Sequence, residues 1–345
     1  MLPFLTKSRT RPGLGPLSPS TDLPKISGHD LFIKVQATGI NAIETNVLNG
    51  DLQSAHRQIF PEDRGADISG EIVACGAGVS DFSVGDQVFG RLIEDEQTRI
   101  AEYVRVPQHQ VSLKPSCLTH EQAAGLPWAG LSAYQALFEG AKLRENEDVL
   151  IHGGDELPGA MAIQLAKAKG AHVATTIQGA NRAWVERLGP DQVIESNNQY
   201  FHELIWNVDV VFNPYGDAVS LESLPLIRPG GRLVALHGAV DAETARRQGL
   251  NLIWRWIAGR RADKVVQTAT TCQVAYRRVV MRPDHRQLAL LADMVEQGRL
   301  KPLIGKVYPY AQAKEALHHT QTKTSRGKVV VSMTSRDTAE VLTPI

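Results

Sequence analysis

The pattern of hydrophobic and polar positions changes once along the chain. Residues 1–28 are rich in Pro, Ser and Gly, after which residues 30–37 (DLFIKVQA) alternate, which predicts a strand with one solvated face. Short strand-like runs follow at residues 69–75, 87–89 and 103–106, with turn residues between them and no long amphipathic helix. The first hundred or so residues are therefore predicted to form a mainly β module.

From about Thr119 onward the pattern alternates between strand and helix. Helical spacing over residues 120–138 is interrupted at Pro127. Predicted strands then alternate with predicted helices: strands at residues 149–152, 172–176, 192–194, 208–212 and 232–236, and helices at residues 159–168, 182–188 and 220–226. Such alternation requires parallel strands with right-handed crossovers, so we expect an α/β domain with a doubly wound parallel (Rossmann) sheet. The pattern then predicts helices at residues 286–297 and 311–319 and a closing strand at residues 328–332.

The amino-acid composition bears on the number of domains and on the kind of partner that the chain binds. A chain of 345 residues with 43% hydrophobic and 21% charged residues is long enough for two globular domains. Lys+Arg and Asp+Glu both total 37, so no net field favours nucleic acid or a membrane surface, and we expect a small-molecule substrate. A basic segment at residues 241–282 is read as a solvated face rather than a nucleic-acid site.

Cysteine usage and the absence of an apolar run of about 18 residues favour a cytoplasmic protein. Cys75, Cys117 and Cys272 lie too far apart for a disulfide framework or a clustered thiolate zinc site. An organelle transit peptide is the alternative, because no acid precedes Asp22, although four prolines oppose an amphipathic helix there.

Residues 149–170 (VLIHGGDELPGAMAIQLAKAKG) predict a strand, a tight turn and a helix. Gly153, Gly154 and Gly159 give the turn backbone freedom, and Pro158 suits a first helical turn whose N–H groups can receive an anion. A nucleotide-binding domain places the pyrophosphate of a dinucleotide here. Glu156 opposes this use, because two anions about 4 Å apart repel by several kcal/mol at an effective dielectric near 20.

Eight segments, in matching order, carry a resemblance to a known family: residues 38–44, 65–70, 84–90, 101–103, 123–127, 130–134, 228–233 and 326–330. From about residue 30 to residue 333 the chain resembles the medium-chain dehydrogenase/reductase superfamily, in its zinc-independent quinone oxidoreductase branch. The resemblance implies a GroES-like, mainly β catalytic domain from residues 1–126 and 284–345, and a Rossmann cofactor-binding domain from residues 127–283. It also implies NADPH, hydride transfer to a quinone, an activated alkene or a carbonyl compound, and a homodimer.

The chain departs from this family at several positions. The residues equivalent to Glu156 and Leu157 are usually glycines, and Asp usually stands where Asn213 precedes Pro214 and Tyr215. Residues 44–46 (ETN) offer no Cys or His where zinc-using relatives place a ligand, so no metal is expected. These departures leave a second hypothesis open, a degenerate member with weak or no dinucleotide binding that acts as a binding or assembly protein.

The resemblance also assigns site residues. The catalytic cleft is expected to be lined by Asn41, Glu44, Asn46, Trp128 and Ser132. The cofactor is expected to be bound by Gly153, Gly154, Glu156, Leu157, Pro158, Gly159, Gln178, Asn181, Arg182, Pro214, Tyr215, His237, Gly238, Arg326, Gly327 and Lys328.

Some of these residues have alternative interpretations. No acid follows the second strand of the cofactor domain and Arg182 lies nearby, which favours a ribose 2′-phosphate and thus NADPH over NAD, although Arg182 is equally consistent with a solvated helix start. Asn41 is interpreted either as a residue that orients a reactant or as one that stabilises a turn after a strand. Trp128 and Tyr215 stack on a flat quinone or pack in the interior. His152 is expected to be a packed or capping residue. Alcohol oxidation without metal is a third hypothesis for the function.

Overall fold

The computed structural model describes residues 26, 28–41, 65–93, 102–178, 181–241, 244, 264–322 and 325–334. These residues form two compact units, one of the described residues up to Trp128 together with those from Pro283 onward, and one within Ala129–Arg282. The sequence analysis placed the two boundaries at 126/127 and 283/284.

Thirteen strands are numbered here in chain order within the described residues: β1 Asp30–Ile40, β2 Gly65–Cys75, β3 Gln87–Ile93, β4 Tyr103–Pro107, β5 Val111–Leu113, β6 Asp148–Ile151, β7 His172–Ile177, β8 Gln192–Glu195, β9 Val208–Asn213, β10 Ile227–Ala235, β11 Ala275–Arg278, β12 Ile304–Pro309 and β13 Lys328–Ser332. The numbered α-helices are α1 His120–Ala123, α2 Pro127–Tyr134, α3 Leu157–Ala168, α4 Arg182–Glu186, α5 Phe201–Leu204, α6 Asp217–Ser223, α7 His285–Glu296 and α8 Ala313–Gln321. A π-helix, Gln135–Gly140, continues α2, and residues 264–271 are also helical.

The first unit contains a seven-stranded sheet built around β1. The strand order is β12-β13-β1-β2-β3-β5, and β4 also pairs with β1. The alternation in β1 places Leu31, Ile33 and Val35 in a core shared with Ile68 and Val88. Helix α1 begins with a capping box between Thr119 and Gln122, and Asp284 caps α7 by accepting two backbone N–H groups. This unit is the GroES-like β domain that the resemblance implied.

The second unit contains a six-stranded sheet in the order β11-β10-β9-β6-β7-β8, in which every recorded pairing is parallel. Its central strands β6 and β9 are buried on both faces, as crossover helices require, and Leu150, Val211 and Leu233 pack in one core. The doubly wound sheet predicted from the sequence is confirmed. The order reverses at β6, whose two neighbours are β7 and β9, and such a switch point is where ligands bind in these sheets.

Three strands and two helices were not predicted from the sequence: strands β5, β11 and β12, helix α5 and the helix at residues 264–271. Strand β11 (AYRR) has two arginines in four residues, and β12 begins with Ile-Gly-Lys, so neither shows a clear alternation. Helix α5 has only four residues. The predicted helix at residues 311–319 begins two residues later, as α8, because Tyr310–Gln312 forms a 3-10 turn.

Candidate functional site

The glycine turn joins β6 to α3 at the switch point of the second sheet. Gly153 has a φ of +67°, which favours glycine. A Cβ atom on Gly159 would lie 2.0 Å from the carbonyl oxygen of Gly153, so only glycine lets α3 start this close to the strand. The three glycines therefore fulfil the backbone roles that the sequence analysis gave them.

The N-terminus of α3 can still bind an anion. Glu156 is the N-cap residue, and its carbonyl oxygen accepts the N–H of Ala160 at 2.8 Å, while its side chain caps nothing. Pro158 is buried in the first turn, where its missing N–H costs no helical hydrogen bond. The N–H groups of Leu157 and Gly159 belong to the first turn, which has no helical acceptors, so they can donate to a ligand.

Two side chains cover part of this turn. The Tyr215 hydroxyl lies against Gly153, since a Cβ built there would be 2.7 Å from its oxygen, and it hydrogen-bonds to the Glu156 carboxylate. Burial, followed by the charges of Glu156 and Asp155, raises the pKa of Tyr215, so the phenol stays protonated. A diphosphate occupies this turn only if Glu156 and Tyr215 rotate away, and both side chains reach solvent, since Glu156 is exposed and Tyr215 is 36% exposed.

Asn213 holds the loop that carries Tyr215. Its Oδ1 accepts the backbone N–H of Tyr215 at 2.8 Å, and its Nδ2 donates to Gly216 and Ser220, also at 2.8 Å. An ionised Asp could not make the two donations, so the departure from the family pattern at this position fixes the loop after β9.

Asp155, which the sequence analysis did not select, connects the turn to the end of β7. Its Oδ2 accepts the backbone N–H of Gln178 at 3.1 Å and the side-chain Nδ2 of Asn181 at 3.2 Å. Its Oδ1 is buried and has no hydrogen-bond partner among the described residues. The structure therefore brings the predicted residues Gln178 and Asn181 to the glycine turn through a carboxylate.

Arg182 is engaged by neighbouring carboxylates. Its guanidinium donates to Glu186 at 2.8 Å, to Glu195 at 3.3 Å and to the carbonyl oxygen of Val193 at 3.3 Å. The role of Arg182 toward a ribose phosphate stays a prediction.

In the first unit a buried charged cluster forms around Lys328. Its ammonium donates to Asp67 Oδ2 at 2.5 Å and to Asn41 Oδ1, and it lies 5.8 Å from the centroid of the Trp128 ring. Arg91 contacts the other oxygen of Asp67 at 3.3 Å. The side chains of Lys328, Asp67 and Arg91 are fully buried. Three predicted site residues are thus brought together, while Asp67 and Arg91 were missed because no local pattern marks them.

The remaining predicted residues are more dispersed. Ser132 is buried on α2, Pro214 is buried in the loop after β9, and His237 lies half-buried just after β10. Gly238 has a φ of +105°, and a Cβ there would meet the Asp217 carboxylate at 2.3 Å. Arg326 is exposed beside Gly327, whose φ is +116°. Glu44 and Asn46 lie outside the described residues.

His152 is a packed residue, as predicted. Its ring nitrogens lie 3.0 Å from Thr176 Oγ1 and 2.9 Å from Ser223 Oγ, and burial lowers its pKa to about 3. Within the described part of the chain no three His, Cys, Asp or Glu side chains gather as metal ligands. Of the helices that the structure describes, none is both long and apolar enough to cross a membrane.

The chain is similar to known sequence families, to known proteins and to solved structures. Residues 27–116 match the alcohol dehydrogenase GroES-like domain, and residues 188–331 match the zinc-binding dehydrogenase domain. NAD(P)H oxidoreductase RTN4IP1, mitochondrial, of Danio rerio is 30% identical over 337 residues, covering 88% of this chain and 84% of that protein. NADPH-dependent alkenal/one oxidoreductase, chloroplastic, of Arabidopsis thaliana is 27% identical over 319 residues, covering 90% and 73%. The structure of the quinone oxidoreductase from Coxiella burnetii aligns with a TM-score of 0.73 at 28% identity, covering 91% and 93%.

Proposed function

The chain belongs to the medium-chain dehydrogenase/reductase superfamily, in its quinone oxidoreductase-like branch, and we propose that it reduces quinones, enones or related carbonyl compounds with a nicotinamide dinucleotide and without zinc. The names of similar proteins, which include an alkenal/one oxidoreductase and a quinone oxidoreductase, support this substrate class. The proposal without zinc rests on the sequence at residues 44–46, which offers no Cys or His.

The observation that carries the proposal is the turn between β6 and α3. It lies at the switch point of a parallel sheet, it is built on glycines that a Cβ would disrupt, and it ends at a helix N-terminus. The Oδ1 of Asp155 in the same turn is buried and receives no hydrogen bond within the described part of the chain, so it requires a donor, which a dinucleotide can supply. Gly153, Gly154, Gly159 and the first turn of α3 would hold the diphosphate.

Asn41 and Lys328 supply the polar groups on the substrate side. An ammonium can only donate, so the amide oxygen of Asn41 faces Lys328 and its amide nitrogen is the donor end of the side chain. When bound, the dinucleotide supplies the hydride. Asn41 Nδ2 would donate to the substrate oxygen, where negative charge develops, and Lys328 would position Asn41. Trp128 would contact a flat acceptor through its ring.

The proposal is tested with a panel of quinones and α,β-unsaturated ketones, following loss of the reduced-nicotinamide absorbance. We expect turnover with at least one of these acceptors. Asn41→Ala should lower kcat about 100-fold, because it removes a donor to the developing oxyanion, and should leave dinucleotide affinity unchanged. The matched control is Asn198→Ala, at an exposed turn position, which should have no effect. Absence of turnover with every acceptor would contradict the proposal.

One observation favours the second candidate, a binding or assembly protein without a dinucleotide. The Tyr215 hydroxyl and the Glu156 carboxylate pair over Gly153, where a diphosphate would lie. If this pair does not open, the turn receives no anion. The two candidates differ in one measurable property, binding of a dinucleotide to the full chain.

A homodimer and a cytoplasmic location complete the proposal. Among the described residues β11 pairs only with β10 and ends the parallel sheet, so a second copy could add its own β11 at this edge. Light scattering should give twice the mass of one chain, and a monomeric mass would exclude the dimer. Cell fractionation tests the cytoplasmic location. The name of the Danio rerio relative specifies mitochondria, so recovery of the chain in that fraction would contradict the proposal.

A further inference from the structure

A carboxylate stands at the end of β7 although the sequence after that strand contains no acid. It is Asp155, which reaches there from the glycine turn and accepts the N–H of Gln178 and the Nδ2 of Asn181 through Oδ2. In NAD-binding Rossmann domains the acid that binds the adenosine ribose diol usually comes from this strand end, about 20 residues past the glycines. Here the same place is filled from a different point of the chain.

The second oxygen of Asp155 has no hydrogen-bond partner among the described residues. Oδ1 is buried and receives no hydrogen bond from the described residues, and a buried acceptor left in this state is unfavourable. A ribose hydroxyl is a donor of suitable size and can satisfy a carboxylate oxygen. A 2′-phosphate bears negative charge at the same position and can only accept from the groups around it.

The other charges at this edge of the sheet also oppose a phosphate. Arg182 is the cation that the sequence analysis assigned to it, but its guanidinium already donates to Glu186 and Glu195. Near the ends of β7 and β8 the structure therefore places Glu186 and Glu195 against the Arg182 guanidinium, while the Asp155 carboxylate lies against Gln178 and Asn181. A phosphate would have to compete with two carboxylates for Arg182 and would be repelled by Asp155.

We infer that Asp155 determines cofactor specificity: its Oδ1 accepts a hydroxyl of the adenosine ribose, and the chain prefers NADH to NADPH. This inference rests on the proposed function only in requiring that a dinucleotide binds. It reverses the NADPH preference predicted from the sequence, which considered acids after the strand but not the acid in the turn.

The test is calorimetric titration of the full chain with ADP-ribose and with 2′-phospho-ADP-ribose, which differ only at the adenosine ribose. The wild-type chain should bind ADP-ribose at least about tenfold more tightly. Asp155→Asn removes the charge with little change in shape, and it should reduce this preference by roughly tenfold or reverse it. NADH and NADPH should show the same order as the fragments.

The matched control is Asp191→Asn. Asp191 accepts the backbone N–H of Val173 at 2.7 Å near the opposite end of β7, so its replacement removes an equal charge away from the turn. It should leave the ratio of the two affinities unchanged. If Asp155→Asn does not fold, the wild-type ratio still tests the inferred preference, since equal or reversed affinities would overturn it.

Three results would overturn the inference: tighter binding of 2′-phospho-ADP-ribose to the wild-type chain, equal binding of the two compounds, or a ratio unchanged in Asp155→Asn. In each of these cases a dinucleotide fragment binds, so the proposed function stands. If neither compound binds the wild-type chain, the proposed function and the inference both fail.

Discussion

At the scale of single residues, the described interior of the first unit contains buried charges that are stable only as a group. Asp67 is fully buried and contacts both Lys328 and Arg91, so one carboxylate serves two cations. Removing one partner from such a group leaves uncompensated charge in a low-dielectric interior, which costs far more than losing an ion pair at the surface. Because Asn41 contacts Lys328 in this cluster, a change that disrupts the cluster should both move Asn41 and destabilise the first unit.

Replacing Asp67 by Asn tests this dependence. We expect Asp67→Asn to lower the free energy of unfolding by about 3–5 kcal/mol, because Lys328 and Arg91 then remain buried without their anion. Urea denaturation monitored by circular dichroism gives this value. The comparison variant is Glu186→Gln, which removes one partner of the exposed pair with Arg182 and should cost less than about 1 kcal/mol. Equal costs for the two variants would contradict the account.

His152 should make stability depend on pH. Burial lowers its pKa from 6.5 to about 3, so below pH 6.5 the unfolded chain binds a proton that the folded chain does not. Stability therefore falls as the pH falls from about 6.5 toward 3, by about 2–3 kcal/mol at pH 4.5. His152→Gln does not titrate and keeps a side chain with a hydrogen-bond donor and acceptor for Thr176 and Ser223, so its unfolding free energy should fall less over this range.

The control for this pH dependence is His202→Gln, at an exposed position of α5, which should follow the wild-type curve. Denaturation series at several pH values between 7 and 4.5 compare the three chains. A His152→Gln curve parallel to that of the wild type would show that this histidine does not govern the acid response.

At the scale of elements, the turn before α3 is set by backbone contact. Gly159→Ala would place a Cβ 2.0 Å from the Gly153 carbonyl oxygen, and α3 would have to move away from β6. We expect a loss of at least about 3 kcal/mol in the free energy of unfolding, within the range of severe packing faults. Gly189→Ala, whose added Cβ meets nothing within 4 Å, should cost only the left-handed conformation, about 1–2 kcal/mol. Comparable losses would exclude this contact as the constraint.

The elements also show what a sequence can predict. Strands buried on both faces, such as β6 and β9, are mainly apolar, and β1 alternates, so these strands were predicted from local pattern. Strand β11 was not predicted, because its two arginines, one half-buried and one buried, give no hydrophobic period, and its formation depends on pairing with β10. Local pattern fails where tertiary pairing rather than periodicity defines the strand.

The site was less predictable than the fold. The glycines of the turn can be recognised from the sequence, since their spacing follows from backbone geometry. Asp155 and Gln178 are 23 residues apart, and Lys328 and Asp67 are 261 residues apart, so their contacts exist only once the sheets have formed. The resemblance identified Asn41, Trp128 and Lys328, but it gave no reason to pair Lys328 with Asp67.

At the scale of the whole molecule, family membership and the α/β architecture predicted from the sequence are confirmed, while the residue roles stay predictions. The account depends on one property of the full chain, that a turn carrying Glu156 and Tyr215 still binds a dinucleotide. The resemblance to this family implies a glycine at the position of Glu156, so family membership alone does not establish this property.

Calorimetric titration of the full chain with NADH measures that property directly. The account predicts saturable binding with a Kd between about 1 and 100 μM, a range that corresponds to roughly 5 to 8 kcal/mol of binding free energy. Glu156→Gly, which removes the carboxylate that pairs with Tyr215, should bind more tightly than the wild-type chain. Absence of binding to the wild-type chain up to millimolar NADH would contradict the account.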